Sequence, residues 1–250
     1  MDNCINEGTI IGEGNRQGGI AGVNRYIIQN CENKGNIKNN GASTDTSCYV
    51  AGIVGQNVGK ILKCKNYADI TTSSTVSRFI GGITGFHQDE EGVSILEVIL
   101  TECANTGNVS GNTFVGGIIG RLGIEANVNF CYNTGNISGS ERVGGVIGDT
   151  IAQSGEAKNL YNTGAITATT NYVGGIVGIL YSTLENAYNI GIISIAGSIA
   201  NYGGIVGYIN TTSSSIDKVQ NCCTIYDTKQ VCLDQAVKLM TFAVGSLWII

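Results

Sequence analysis

The chain has 250 residues, of which 13% are charged against a usual share of about 25%, with 37 glycines and no proline. A net charge of −5 and a pI near 4.9 exclude a nucleic-acid surface, which needs clustered Lys and Arg. No apolar run reaches the ~18 residues of a bilayer-spanning helix, and 42% hydrophobic content excludes a disordered tail.

In chain order, the opening "MDNCINEGTI" lacks the basic stretch and apolar run of a signal peptide. A repeat begins at once at Cys4, with no room for a cap, which implies excision from a longer protein. Seven copies follow. Their first halves read "CINEGTI" from Cys4, "CENKGNI" from Cys31, "CKNYADI" from Cys64, "CANTGNV" from Cys103, "CYNTGNI" from Cys131, "LYNTGAI" from Leu160 and "AYNIGII" from Ala187. Their second halves run from "GGIAG" at Gly18 to "GGIVG" at Gly203, and a degenerate eighth start stands at "NCCTIYD".

Within a copy the strict positions alternate with free ones, the period of a strand with one buried and one wet face. A unit of about 30 residues cannot bury its own core and must stack on its neighbours. The expected fold is all-β: a parallel β-solenoid, in its commonest form a right-handed β-helix, of about seven coils and roughly 30–35 Å. Residues 1–221 form the repeats, and 222–250 a failed last coil and C-terminal cap. A seven-bladed propeller is the rival, although blades usually need about 40–50 residues.

Each strict position has a structural reading. Asn6, Asn33, Asn66, Asn105, Asn133, Asn162 and Asn189 suit a corner ladder of amides. Gly8, Gly35, Gly107, Gly135, Gly164 and Gly191, with Ala68 as the exception, mark a positive φ or a close backbone approach. Two β-branched rows, one from Ile10 to Ile193 and one from Ile20 to Ile205, are core positions. Cys4, Cys31, Cys64, Cys103 and Cys131 share a slot that Leu160 and Ala187 also fill, so the thiols read as small buried hydrophobes. Disulfides between adjacent coils are the alternative, because neighbouring strands lie within the disulfide Cα window. No metal or cofactor is expected: CxxC pairs are missing and His87 is the sole histidine.

Two stretches bear on function. "FHQDEEG" gathers His87, Asp89, Glu90 and Glu91 in the longest repeat, the only candidate for a carbohydrate-active site with its paired carboxylates. Further on, Tyr132, Tyr161 and Tyr188 follow the Cys slot in three successive copies on the solvent parity, beside Thr134 and Thr163. Stacked rings and hydroxyls there suit a flat platform for a glycan or protein, or simply brace the strands. The Thr spacing is too irregular for an ice-binding array. Tyr49, Phe79, Phe114 and Tyr172 precede the glycine pairs on the core parity and read as packing. In the tail, Val237, Met240, Phe242 and Leu247 are placed to cap the rod, while uncovered strand edges at the other end invite end-to-end self-association.

The "CxNxGxI" elements, each followed by a "GGIVG"-type core over residues 3 to 210, resemble the GLUG-motif repeats of bacterial secreted and surface proteins. That resemblance implies an extracellular or cell-surface location and a non-enzymatic role as adhesin, spacer or display scaffold, with no catalytic residues of its own. The expected partner is a glycan or a surface protein.

Overall fold

The computed structural model describes residues 1–41, 48–73, 78–88, 97–151, 155–197, 201–210, 219–226 and 229–233, with side chains up to Thr224. Every regular element among them is a β-strand. The chain winds through four sheets, here A to D, and each coil adds one layer to each. In the first coil these are Ile5–Asn6 in A, Ile10–Gly12 in B, Arg16–Gly18 in C and Ala21–Asn24 in D. Sheets B, C and D are each seven strands deep. Pairing is parallel and in register, with Asn6 opposite Asn33 and Asn133 opposite Asn162. This is the β-solenoid that the repeat demands, and radial propeller blades, with their antiparallel meanders, are ruled out.

The degenerate eighth start joins the stack. Cys222–Tyr226 pairs in parallel with the seventh coil, and Lys229–Leu233 then turns back antiparallel against it. Cys223 is disulfide-bonded, and Cys232 stands opposite it in this hairpin. The cap expected at Val237, Met240, Phe242 and Leu247 lies outside the described residues.

The interior is divided rather than single. The Cys slot packs with Ile53, Ile83, Ile118, Val146 and Ile176 in one core between A and D. Ile37, Ile70, Val109, Ile137 and Ile166 pack with Val50, Ile80, Val115, Val143 and Val173 in another between B and C. The two β-branched rows are therefore both buried, but in separate lobes. The glycine pairs lie at the junction. A Cβ on Gly52, Gly82 or Gly117 would strike the side chain of Asn66, Asn105 or Asn133 and the backbone of the next coil. Close approach is thus the reason for glycine at this corner, since Gly197 is the one described glycine with a left-handed φ.

The amides at that junction form a continuous ladder. Nδ2 of each Asn donates to Oδ1 of the next at 2.7–2.8 Å, from Asn6 through to Asn189. The second N–H of Asn66, Asn105, Asn133 and Asn162 goes to the carbonyl two residues on, so both donors are used. Buried amides so satisfied hold register, because a slip would orphan the whole row.

The thiols are reduced and do more than fill space. The Sγ of Cys31, Cys64, Cys103 and Cys131 each donates to the carbonyl two residues before it, at 3.1–3.4 Å. The same sulfurs accept the backbone N–H of the cysteine in the preceding coil at 3.4 Å. Between each thiol and its carbonyl sits a residue in the left-handed region. Asn3, Asn30, Lys63, Glu102, Phe130, Asn159, Asn186 and Asn221 all have φ of 51–54°. This break bends sheet A once per coil, and the sulfur accepts the cysteine N–H that the bend turns away from a carbonyl, while the thiol adds a second donor to a carbonyl that the neighbouring coil already bonds.

Candidate functional site: the outer face of sheet A

Residues on either side of the buried ladder asparagines point outwards from sheet A. Tyr132, Tyr161 and Tyr188 are in mutual register there, and Thr134 and Thr163 follow two residues later on the same face. The structure therefore brings the predicted residues together, but in a different arrangement from a flat platform. The ring centroids of Tyr132 and Tyr161 are 4.8 Å apart with planes inclined by 1°, and those of Tyr161 and Tyr188 are 5.0 Å apart at 6°. Parallel rings so close must overlap face to face, because side-by-side rings would collide. Each face of Tyr161 therefore lies against a neighbouring ring. Burial and the two adjacent phenols push the Tyr161 hydroxyl above its ordinary pKa.

Besides Tyr67 in an earlier coil, an unstacked aromatic on this face is one that the repeat pattern passes over. Phe130 is 58% exposed, occupies the left-handed break at φ 51°, and stacks on no other ring among the described residues. Beside it, Asn159, Asn186 and Asn221 form an outer amide ladder. Asn221 donates to Asn186 at 3.1 Å, Asn186 to Asn159 at 3.2 Å, and Asn159 to Asn129 at 2.8 Å. Between the amide row and the Tyr row runs a groove lined by Phe130, Asn159, Leu160, Tyr161, Asn186 and Tyr188. The same two rows in the earlier coils line a second stretch of groove with Asn3, Asn30, Glu32, Lys63, Lys65 and Glu102. The per-coil bend thus creases the outer face along the axis. A left-handed row of five Asn among eight residues was the signal available in the sequence.

His87 is not at a loop tip. It ends the strand Thr84–His87 in sheet D and is fully buried. Asn24 donates to Asn57 at 2.6 Å, and the Asn57 amide lies 2.8 Å from His87 Nδ1. His87 Nε2 lies 3.2 Å from the Asn127 carbonyl, which can only accept, so Nε2 carries the proton and Nδ1 accepts from Asn57. Burial lowers the pKa of this neutral imidazole to about 4. The histidine extends a second corner ladder. Asp89, Glu90 and Glu91 lie outside the described residues. The thiols also suit structure: burial raises Cys31 and Cys222 to about 11 and holds Cys103 well above the ordinary thiol range.

The aromatics expected on the core parity pack on the opposite one: Val50, Ile80, Val115 and Val173 fill the core, and Tyr49, Phe79, Phe114 and Tyr172 next to them in the chain lie on the outer side of sheet C. Tyr49 stacks on Phe79 at 5.4 Å, and Phe79 meets Phe114 edge-on at 4.6 Å. Arg121 lies over both Phe79 and Phe114, and Arg142 over Phe114. Both guanidiniums reach the buried Asp149 Oδ2, at 3.0 and 3.2 Å. Burial still pushes this carboxyl up to about 6, against the pull of the two cations.

Among the described residues no three His, Cys, Asp or Glu side chains converge as a metal site, and no helix is long and apolar enough to cross a membrane. Compared with known proteins, the chain matches no family model, no curated protein and no solved structure.

Proposed function

We propose that this chain is a non-enzymatic repeat module of a bacterial secreted or cell-surface protein, of the GLUG-motif kind. Its rod spaces and displays a partner-binding face, the outer side of sheet A. One observation carries the reading. The repeated polar residues are consumed inside the rod, whereas the variable outer positions of three successive coils build an aromatic row against water. Exposed aromatic rows beside hydroxyls and amides suit a surface that meets a partner. The disulfide at Cys223 supports an oxidising compartment. The carbohydrate-active alternative was motivated by a histidine among acids, and a neutral, buried, doubly hydrogen-bonded His87 takes that motive away.

The test is direct. The purified chain is applied to immobilised surface polysaccharides and surface proteins, with Tyr161→Ala as the comparison and product release assayed in parallel. Retention that weakens in the variant, without turnover, is the expected outcome. Turnover of a polysaccharide that stops in His87→Asn would overturn it.

A further inference from the structure

Three features mark the stretch of groove over coils five to seven. Its six lining side chains carry no charge, whereas the stretch over the earlier coils is lined by two Glu and two Lys. Its outer amides are only half used. In the buried ladder both N–H groups of an Asn are bonded, but each step of the outer ladder takes one N–H and one oxygen lone pair. An amide has two of each, so Asn159 and Asn186 retain hydrogen-bonding capacity at the groove wall. Finally, at the left-handed break that every coil shares, this stretch places Phe130, an aromatic 58% exposed at the groove. The fold sets that backbone angle, as it does at Lys63 and Glu102, but it does not require a solvated aromatic there, and that exposure points to a ligand.

These features converge on one chemistry. Uncharged walls exclude polyanions as the preferred partner. A free aromatic face suits the apolar face of a sugar ring, and a row of amides suits ring hydroxyls. The elements repeat along the axis at the strand spacing, seen in the 4.8 and 5.0 Å ring separations. That is close to the rise per sugar in an extended β-linked polymer. We propose that the groove between Phe130 and the Tyr132–Tyr161–Tyr188 ladder binds a neutral, extended β-linked glycan lying along the rod axis. One sugar stacks on Phe130, and successive sugars bond Asn159 and Asn186. The inference rests on the display reading given above and names the ligand class of that face.

The experiment is calorimetric titration of the whole chain with cellohexaose, xylohexaose and chitohexaose, with maltohexaose as a coiled neutral control and polygalacturonate as a charged one. At least one of the first three binds, equally at low and high salt, and the two controls do not. Phe130→Asn weakens that binding about tenfold, the loss of one stacking contact. Asn suits the left-handed position, so the variant keeps or raises the melting temperature and its loss of binding is not misfolding. Asn186→Asp, which removes the amide donors, weakens binding as well, while Lys65→Ala in the charged stretch leaves it unchanged. Absence of binding to all three oligomers, salt-sensitive binding, or wild-type affinity in Phe130→Asn would overturn the inference. If a surface protein instead binds and is lost in Tyr161→Ala while no sugar binds, the glycan assignment fails and the display reading stands.

Discussion

The first four coils and the last three share one backbone in sheet A, one left-handed break per coil and one buried amide ladder, yet they present different outer surfaces. Over the early coils the outer rows carry Glu32, Lys34, Lys63, Lys65 and Glu102 beside single exposed apolar residues, Ile5 and Tyr67, with ion pairs at 2.9 Å for Lys34–Glu32 and 3.8 Å for Lys63–Glu102. Such exposed pairs contribute ~0–1 kcal/mol and keep the surface soluble. Over the late coils the same slots carry Phe130 and three stacked tyrosines, an investment of apolar area at the surface. The contrast separates two kinds of constraint. Ladder geometry dictates the inner parity and leaves the outer parity free to vary.

That comparison can be broken from the inside first. If the interior is common to both halves, Asn66→Ala and Asn133→Ala lose similar stability. Each removes two ladder bonds and strands a buried amide and a carbonyl, a loss of about 3–5 kcal/mol in urea unfolding. A large cost in one half only would show that the interiors differ.

A second handle is pH, at the one coil where the second ladder changes from amide to imidazole. The folded pKa of His87, about 4, lies below its ordinary 6.5, so the unfolded chain binds the extra proton between those values. Its contribution is fully present above pH 6.5 and is lost as pH falls towards 4, about 3 kcal/mol in all. Asp149 has the opposite sign, because its pKa is raised from 3.8 to about 6, and it weakens the fold as pH rises through that window. The difference between wild type and His87→Asn isolates the histidine. The variant extends the amide ladder and should show a stability profile that rises less between pH 4 and 6.5.

On the outside, the halves should part. Tyr161→Ala removes two ring contacts and is expected to lose about 2 kcal/mol, whereas Lys65→Ala should stay within ~0.5 kcal/mol. Equal effects would make the tyrosines ordinary surface residues. Smallest of all, Phe130→Asn should gain up to ~1 kcal/mol by relieving the left-handed strain, a gain that Lys63→Asn would share. A loss instead would mean that the Phe130 side chain packs for stability.

Much of this architecture was legible because the repeat writes each inner row seven times. Asn at one slot and Ile two rows away are enough to specify stacking, register and burial. The division into two lobes was not, since both Ile rows look alike until the glycine pairs are seen to press on the Asn ladder. The thiol hydrogen bonds were hidden for a related reason. Leu160 and Ala187 made the slot look purely apolar, whereas the sulfur also answers a bend one residue earlier. The candidate face was half visible: tyrosine spacing announced a row, but only the ring geometry shows that the faces are used up within it. Phe130 was missed because five of the eight residues in its left-handed row are Asn, a pattern that marks the backbone angle and does not single out the one aromatic. His87 was misplaced by its acidic neighbours in sequence, while its real neighbours, Asn57 and Asn127, come from adjacent coils.

The most direct test of the division between a common interior and a specialised outer face is amide hydrogen exchange on the whole chain, with and without a saturating β-linked oligosaccharide. Added protection is predicted in the late strands Asn127–Asn133, Ala157–Asn162 and Leu184–Asn189 and not in Ile27–Gln29 or Lys60–Leu62. Protection centred on the early strands, or none in either half, would contradict the account.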